Sequence, residues 1–180
     1  MKQTGKLMNL GLAVAMCVWL AGCASYRITS DVPEELRTIA VPVFDNETGY
    51  PEVGAIVSQG ALREFQREGT MKIKSLDNAS LKLLGTVKRG ETTPVRFDRS
   101  YGSRASEYRY TLFAEITLVE RDTGRLLLDA VQVQGTTTFL TYDDMLTGIQ
   151  NAYSRIAKEL SRAIVDTVLS TWASKKEVQD

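Results

Sequence analysis

Histidine is absent from this chain of 180 residues, and cysteine occurs only twice, as Cys17 and Cys23. Without histidine, a Ser-His-Asp triad and a Cys/His zinc site are excluded. The GxSxG, Walker A and GxGxxG motifs of common enzymes are missing as well. The acidic run Asp45-Asn46-Glu47 carries metal-ligand side chains, but we interpret it as a turn that caps the following helix. We therefore predict a protein that is not an enzyme and that uses no cofactor or metal ion.

An excess of positive charge is also lacking. The chain has 22 basic and 22 acidic residues, and its first 22 residues contain two lysines and no acidic residue. From Cys23 onward there are therefore 20 basic and 22 acidic residues. This balance, and the absence of any nucleic-acid-binding motif, predicts that nucleic acid is not a partner.

One long apolar run is present, from Leu7 to Leu20, and it follows the basic residues Lys2 and Lys6. A charged start and a short apolar core are typical of a secretory signal peptide, and the run is short for a membrane-spanning helix. The run ends in Leu20-Ala21-Gly22-Cys23, which resembles the bacterial lipobox.

The lipobox resemblance implies cleavage before Cys23, transfer of diacylglycerol to its thiol and acylation of the new amine. Ala24 after the cysteine implies sorting to the outer membrane, where three acyl chains would hold the protein firmly. The alternatives are an ordinary cleaved signal, or a membrane anchor that happens to end in cysteine. We divide the chain into a signal peptide (1–22), a lipidated tether (23–35), a single domain (36–174) and a polar tail (175–180).

The stretch from Leu36 to Lys74 has the pattern of a βαβ unit. A β-branched run from Thr38 to Phe44 predicts a buried strand. Apolar residues then recur at helical intervals from Pro51 to a terminating Gly69, and Met71–Lys74 alternates like a second strand. Two strands joined in this way should lie parallel, with a right-handed crossover.

Three further strands are predicted downstream. The first begins at Leu81–Val87, and the second alternates from Tyr108 to Leu118. A turn at Arg121–Gly124 leads into the third, where the alternation changes phase and predicts a bulge near Ala130. Between the first two strands lies Lys88–Arg104, which is either a long hairpin loop or the flared ends of the two strands.

A long amphipathic helix is predicted to start at Asp143 and Asp144 and to end near Trp172. Each of the two helices has a single apolar stripe, so each needs one sheet to cover it. The order β-α-β-β-β-β-α therefore predicts an α+β fold, a two-layer α/β sandwich with both helices on one face of a mixed four- to five-stranded sheet. The residues expected to be buried against the sheet are Ile56, Phe65, Ile156, Leu160 and Ile164.

The order of several motifs resembles that of the lipopolysaccharide-assembly lipoproteins of the LptE family. The motifs are the run Ile39–Thr48 (IAVPVFDNET), the helical segment Leu62–Gly69, the strand Glu107–Tyr110, the turn Asp122–Gly124 and the long helix that ends near Trp172. The resemblance covers nearly the whole chain after the lipobox. It implies an outer-membrane protein that sits inside a β-barrel partner, LptD, binds lipopolysaccharide and assists its delivery to the outer leaflet.

The segment Lys88–Arg104 is the candidate ligand site. Its charged residues are the cations Lys88, Arg89, Arg96, Arg99 and Arg104 and the anions Glu91 and Asp98. Lipid A phosphates are anionic, and arginine and lysine are the side chains that bind phosphate. The alternative is a solvated connection whose cations only keep it soluble. In the first case Phe97 and Tyr101 pack against acyl chains or a barrel wall, and in the second they staple the loop.

A second function fits the same sequence. The strand IAVPVF followed by a helix is similar to lipoproteins that activate cell-wall synthases or form secretion pores. Such a protein would face the periplasm, bind no lipid ligand and use its sheet or helix surface purely as a protein interface.

Overall fold

The structure, a computed structural model, describes residues 32–98, 104–140 and 144–176. After a short 3₁₀-helix (Glu34–Leu36), the elements are strands β1 (Thr38–Ala40) and β2 (Asp45–Asn46), helix α1 (Val53–Glu68), strands β3 (Lys72–Ile73), β4 (Leu81–Asp98), β5 (Arg104–Glu120) and β6 (Leu126–Leu140), and helix α2 (Met145–Lys176). Within these ranges, neither helix combines the length and the apolar character that crossing a membrane requires.

The strands form one mixed sheet in the order β3-β1-β4-β5-β6, with β2 also paired to β4. Strands β1 and β2 run parallel to β4, and β4, β5 and β6 form an antiparallel meander. The predicted α+β fold is confirmed. The sheet has six strands rather than four or five. Of the strand expected from Thr38 to Phe44, only Thr38–Ala40 is strand (β1), and Asp45–Asn46, expected to be a turn, forms β2. Pro42 lies between them, and a proline has no N–H to donate to the ladder.

The predicted βαβ unit is confirmed as well. Strands β1 and β3 are parallel, and Lys74 N–H donates to Ile39 O at 3.0 Å. Helix α1 ends at Gly69, which has φ 84° and donates its N–H to Phe65 O at 3.0 Å. Glycine suits this left-handed position because it has no Cβ to clash there.

The predicted bulge in β6 is present at Ala130, which has φ 48°. Ile116 pairs with Val131 and Leu118 pairs with Leu128, so two residues of β6 lie opposite Thr117. The freed N–H of Ala130 donates to Thr117 Oγ1 at 3.2 Å. The extra residue therefore corrects the phase of the alternation, as the sequence indicated.

Both helices pack on one face of the sheet and against each other. Phe65, Ile156, Leu160 and Ile164 are fully buried, as predicted, whereas Ile56 remains partly exposed at the margin of the core. Complete burial of such a side chain contributes about 1.5–3 kcal/mol to stability. These residues fix the helical layer over the sheet.

Two glycines permit the close packing of α2. A Cβ built on Gly135 of β6 would lie 2.5 Å from the backbone nitrogen of Leu160, so α2 rests directly on this strand. A Cβ on Gly60 of α1 would lie 2.3 Å from Ser161 Oγ. That hydroxyl donates to Ala157 O at 2.6 Å and approaches Val57 O at 3.3 Å. Small residues therefore set both contacts of the long helix.

The start of α2 depends on Asp144. Its carboxylate accepts hydrogen bonds from the backbone N–H of Thr147 at 2.9 Å and of Leu146 at 3.3 Å. These bonds, chiefly the one from Thr147, hold the pKa of Asp144 below its ordinary value. Asp144 is therefore the predicted N-cap, and Asp143 lies outside the described residues.

Strand β5 shows that the second face of the sheet is open. Its residues Tyr110, Leu112, Ala114, Ile116 and Leu118 are buried, and the residues between them are partly exposed. Alternate side chains of a strand point to opposite faces. One face therefore carries the helices, and the other is available for contact with a partner.

Candidate functional site

The candidate site is a long hairpin made by β4 and β5. The two strands stay paired from Leu81 and Glu120 to Asp98 and Arg104. The segment Lys88–Asp98 is therefore strand, so the interpretation as a long loop is wrong and that of extended strand ends is confirmed. Residues 99–103, which join the strands, lie outside the described residues, and with them Arg99 and Tyr101.

Two residues that favour turns are accommodated inside β4 by their surroundings. Gly90 lies beneath Tyr110, whose hydroxyl would be 2.1 Å from a Cβ at that position. Pro94 lies beyond Val87, the last residue of β4 that pairs with β2, and a register shift follows it. Proline is tolerated where a strand edge is free, because its missing N–H interrupts no ladder there.

Lys88 is the extra residue of a bulge, because Val87 pairs with Ala114 and Arg89 pairs with Phe113. Its ammonium group lies 2.7 Å from Glu47 Oε1. This hydrogen bond raises the pKa of Lys88 above its ordinary value. Lys88 therefore joins the hairpin to the chain that follows β2.

Two arginines of the hairpin also face carboxylates. Arg89 Nε lies 2.7 Å from Glu91 Oε1, and its guanidinium stacks 4.2 Å above the centre of the Phe113 ring. Arg96 Nε lies 3.5 Å from Glu107 Oε2. The side chains of Arg89 and Arg96 are 52% and 72% exposed, so solvent or a ligand reaches both.

Arg104 pairs through its backbone with Asp98, and its side chain lies outside the described atoms. The structure adds Arg109, which the sequence analysis did not select. It pairs with Thr93 across the hairpin, is exposed, and forms no ion pair with any described residue. Its alternation with Tyr108 and Tyr110 indicated a polar face, but only the register of β4 and β5 brings it beside the hairpin cations.

A pocket of about 540 Å³ lies beside Arg96 and Glu107. Its wall also includes Leu140 from the end of β6 and Arg155 from α2, whose guanidinium donates to Thr138 O at 3.1 Å. Guanidinium groups and apolar side chains together suit an amphipathic ligand with anionic groups. Exposed ion pairs contribute little free energy, so breaking the pair of Arg89 with Glu91 to admit an anion would cost little.

The acidic run Asp45-Asn46-Glu47 has a different role from the one predicted. Asn46 donates to Tyr50 O at 2.7 Å and accepts from Thr48 N–H at 3.0 Å. No side chain caps the first turn of α1. The run therefore fixes the chain before the helix, and the capping interpretation is wrong. Across the described ranges, no group of three histidine, cysteine, aspartate or glutamate residues is arranged to hold a metal ion.

The fold and the hairpin define the class: a two-layer α+β domain on one mixed sheet, with a long cation-bearing hairpin and one open sheet face. Residues 36–171 match the family model LptE, lipopolysaccharide-assembly. The chain belongs to the LptE family, and its function at the level of the family is lipopolysaccharide assembly. No curated protein sequence matches it.

Several solved structures are similar to this chain, and the first two described below share its fold. A homolog of neuraminyllactose-binding hemagglutinin from Helicobacter pylori has a TM-score of 0.52 at 10% identity, with 85% of this chain and 97% of that chain covered. The protein CT253 from Chlamydia trachomatis has a TM-score of 0.51 at 9% identity, with coverages of 76% and 98%. Rare lipoprotein B from Shewanella oneidensis has a TM-score of 0.47 at 12% identity, with coverages of 74% and 98%.

Proposed function

We propose that this protein is an outer-membrane lipoprotein, anchored through Cys23 on the periplasmic side, that associates with an LptD-like β-barrel. It assists the transport and assembly of lipopolysaccharide into the outer leaflet without catalysing a reaction. The observation that carries the proposal is the family match over residues 36–171, which spans α1, the whole hairpin and most of α2. The lipobox-like sequence before Cys23 supports the anchor.

The ligand contact proposed for this function is between the hairpin cations and the lipid's phosphates. From Lys88 to Arg109 the chain has six basic and three acidic residues. Arg89 and Arg96 present exposed guanidinium groups, which bind phosphate with two parallel hydrogen bonds. Lys88, Arg99 and Arg104 belong to the same segment, and Arg109 adds a guanidinium with no described ionic partner. Phosphate would compete with Glu91 and Glu107 for these groups.

The direct test replaces Arg96, Arg99 and Arg104 together with serine and measures binding of purified lipopolysaccharide at low and high salt. We expect the triple variant to bind lipopolysaccharide more weakly. Raised salt should also weaken binding by the wild-type protein, because exposed charges are screened. Barrel association should survive, since such an interface depends mainly on shape and apolar packing. Thermal stability should hardly change, because exposed charges contribute little to folding.

The matched control replaces Glu91 and Asp98 with serine. The change releases Arg89 from its carboxylate at 2.7 Å and raises the local positive charge, so binding should be preserved or strengthened. If the triple variant binds lipopolysaccharide as tightly as the wild type at low salt, the hairpin is only a solvated connection. The ligand would then contact another surface.

The anchor and the partner are tested together in detergent-solubilised outer membranes. A tagged protein should copurify with a large barrel and with bound lipopolysaccharide. Recovery of a cell-wall synthase or of a homo-oligomeric ring would instead support the second function considered above. Replacement of Cys23 with serine should abolish lipid attachment and release the protein from the membrane fraction. Wild-type processing and membrane retention of that variant would contradict the anchor.

A further inference from the structure

The two edges of the sheet differ in how they are protected. Strand β3, at one edge, is two residues long and contains Lys72. Strand β6, at the other, has 15 residues, and from Ala130 to Leu140 it has neither a charged residue nor a proline. Its bulge at Ala130 lies at the start of this run. Short length, lysine, proline and bulges are the usual devices against edge pairing, so β6 beyond Ala130 is an unprotected edge.

The hydrogen bonds of the sheet show which groups of β6 are free. Glu47 N–H donates to Val87 O at 2.8 Å, so the backbone of Val87 points towards β2 and away from β5. Ala114, which pairs with Val87, therefore directs its backbone N–H and C=O towards β6, where it pairs with Val133. Successive residues of a strand direct their N–H and C=O groups to opposite sides. The backbones of Gln132 and Gln134, the neighbours of Val133, consequently point outward.

The same alternation continues to the end of the strand. Thr136 and Thr138 also direct their backbones outward, and the contact of Arg155 with Thr138 O agrees with this direction. No other described residue bonds the outward N–H and C=O groups of Gln132, Gln134 and Thr136. All three side chains are exposed, whereas their neighbours on the central strand β5 are only partly so.

Helix α2 limits what fits against this edge. It lies along β6, with Leu160 on Gly135 and Arg155 on Thr138. A second copy paired to β6 in antiparallel fashion would place its own α2 on the same face. Neighbouring strands are about 4.7–4.9 Å apart, but packed helices need about 8–10 Å between their axes. A strand without a covering helix meets no such conflict.

We infer that the β6 edge from Gln132 to Thr136 receives an extended segment of a partner polypeptide, which continues the sheet by one strand. The segment has no helix on the α2 side, and it is uncharged where it lies beside the glutamine and threonine side chains. The inference rests on the proposed function only in naming the barrel as the polypeptide that supplies the segment.

Hydrogen–deuterium exchange tests the pairing on the full, lipidated chain. The amides of Gln132, Gln134 and Thr136 are compared between the protein purified alone and the complex isolated from outer membranes in detergent. We expect exchange slower by about tenfold or more in the complex, since a new hydrogen bond of ordinary strength protects by about that factor. Amides of β5 are the internal reference, because they are already paired in the free protein.

A pair of variants separates backbone pairing from simple coverage. Gln134→Pro removes the outward N–H and leaves the ladder to β5 intact, while Gln134→Ala keeps the N–H and removes the side chain. Partner retention should fall about tenfold more with proline than with alanine. Equal retention by the two folded variants, checked by circular dichroism, would overturn the pairing.

The outcomes also distinguish this inference from the proposed function. If the barrel is present and the three amides exchange as in the free protein, the edge inference is refuted and the function stands. If the amides are protected in a complex that lacks the barrel, the edge is a pairing site and the proposed function fails. If the three amides are protected in a complex that contains only a second copy of this chain, the inference that the edge receives a segment of a different polypeptide is overturned. If the protein is isolated without a partner and the three amides are not protected, both the edge inference and the proposed function are overturned.

Discussion

The contact of α2 with β6 depends on the absence of a side chain at Gly135. A Cβ at this position would lie 2.5 Å from the nitrogen, 2.7 Å from the Cα and 2.8 Å from the Cβ of Leu160. The first two atoms belong to the helix backbone, so no rotamer change relieves the clash. Gly135→Ala should therefore move α2 off the strand or strain it, although the change adds only one methyl group.

The magnitude follows from two opposing effects. Overpacking of a well-packed core costs about 1–3 kcal/mol, and a clash with backbone belongs at the upper end of that range. Alanine also reduces the freedom of the unfolded chain, which stabilises by about 0.4–1 kcal/mol. We expect a net loss of about 1.5–2.5 kcal/mol, which corresponds to roughly 3–10 °C in Tm for a domain of this size.

Urea unfolding of the unlipidated Cys23→Ser protein provides the assay, with a lower midpoint expected at an unchanged slope. Gly49→Ala is the matched control, because a Cβ at Gly49 meets no atom within 4 Å. It should be neutral or stabilise by up to about 1 kcal/mol. If the two variants differ in free energy of unfolding by less than about 0.5 kcal/mol, α2 does not lie on β6 as described.

Three further predictions concern the helical layer. Gly60→Ala should destabilise the fold, because its new Cβ clashes with Ser161 Oγ. Adding Ser161→Ala should restore most of the lost free energy of unfolding. If the effects of the two single variants simply add in the double variant, the helix contact is contradicted. Leu160→Ala should cost about 2–5 kcal/mol in urea unfolding, because Leu160 is 0% exposed, and a change near zero would place it outside the core. Glu64 accepts a hydrogen bond from Arg67 Nε at 3.0 Å, which lowers the pKa of Glu64 from its ordinary value of 4.5 despite the opposing effect of burial. Its charged form therefore stabilises the fold at higher pH, and the advantage of the wild type over Glu64→Gln should shrink as pH falls below 4.5, whereas an advantage that grows with acidity would contradict this sign.

The sequence predicted those parts of the fold that are encoded locally. Alternation identified β5, a change of phase identified the bulge at Ala130, and Gly69 ended α1 where a left-handed residue was needed. Strand β2 was missed because it depends on the pairing of Asp45–Asn46 with β4. That pairing joins segments about 40 residues apart, which periodicity alone does not register.

The candidate site was predicted in composition but not in geometry. Gly90 and Pro94 are turn residues by propensity, and they indicated a loop, yet Tyr110 covers the first and a free edge tolerates the second. The ion pairs of Lys88 with Glu47 and of Arg96 with Glu107 join separate elements. Arg109 likewise became a site residue only through the register of two long strands. Tertiary pairing therefore overrode local propensity in the hairpin.

The contact of Ser161 with Val57 joins residues 104 positions apart in the chain, so we expect it to form late in folding. Closing a loop of that length costs about 4 kcal/mol in chain entropy, so the local β4–β5–β6 meander forms more readily than this contact. If the chain is exported from its N-terminus, as the proposed function requires, the apolar stripe of α1 enters the periplasm long before α2 can cover it. The stripe would then be exposed to chaperones, proteases and neighbouring chains. Chains that end before α2 should aggregate or be degraded even though all six of their strands are intact, as expected for an intermediate with exposed apolar surface.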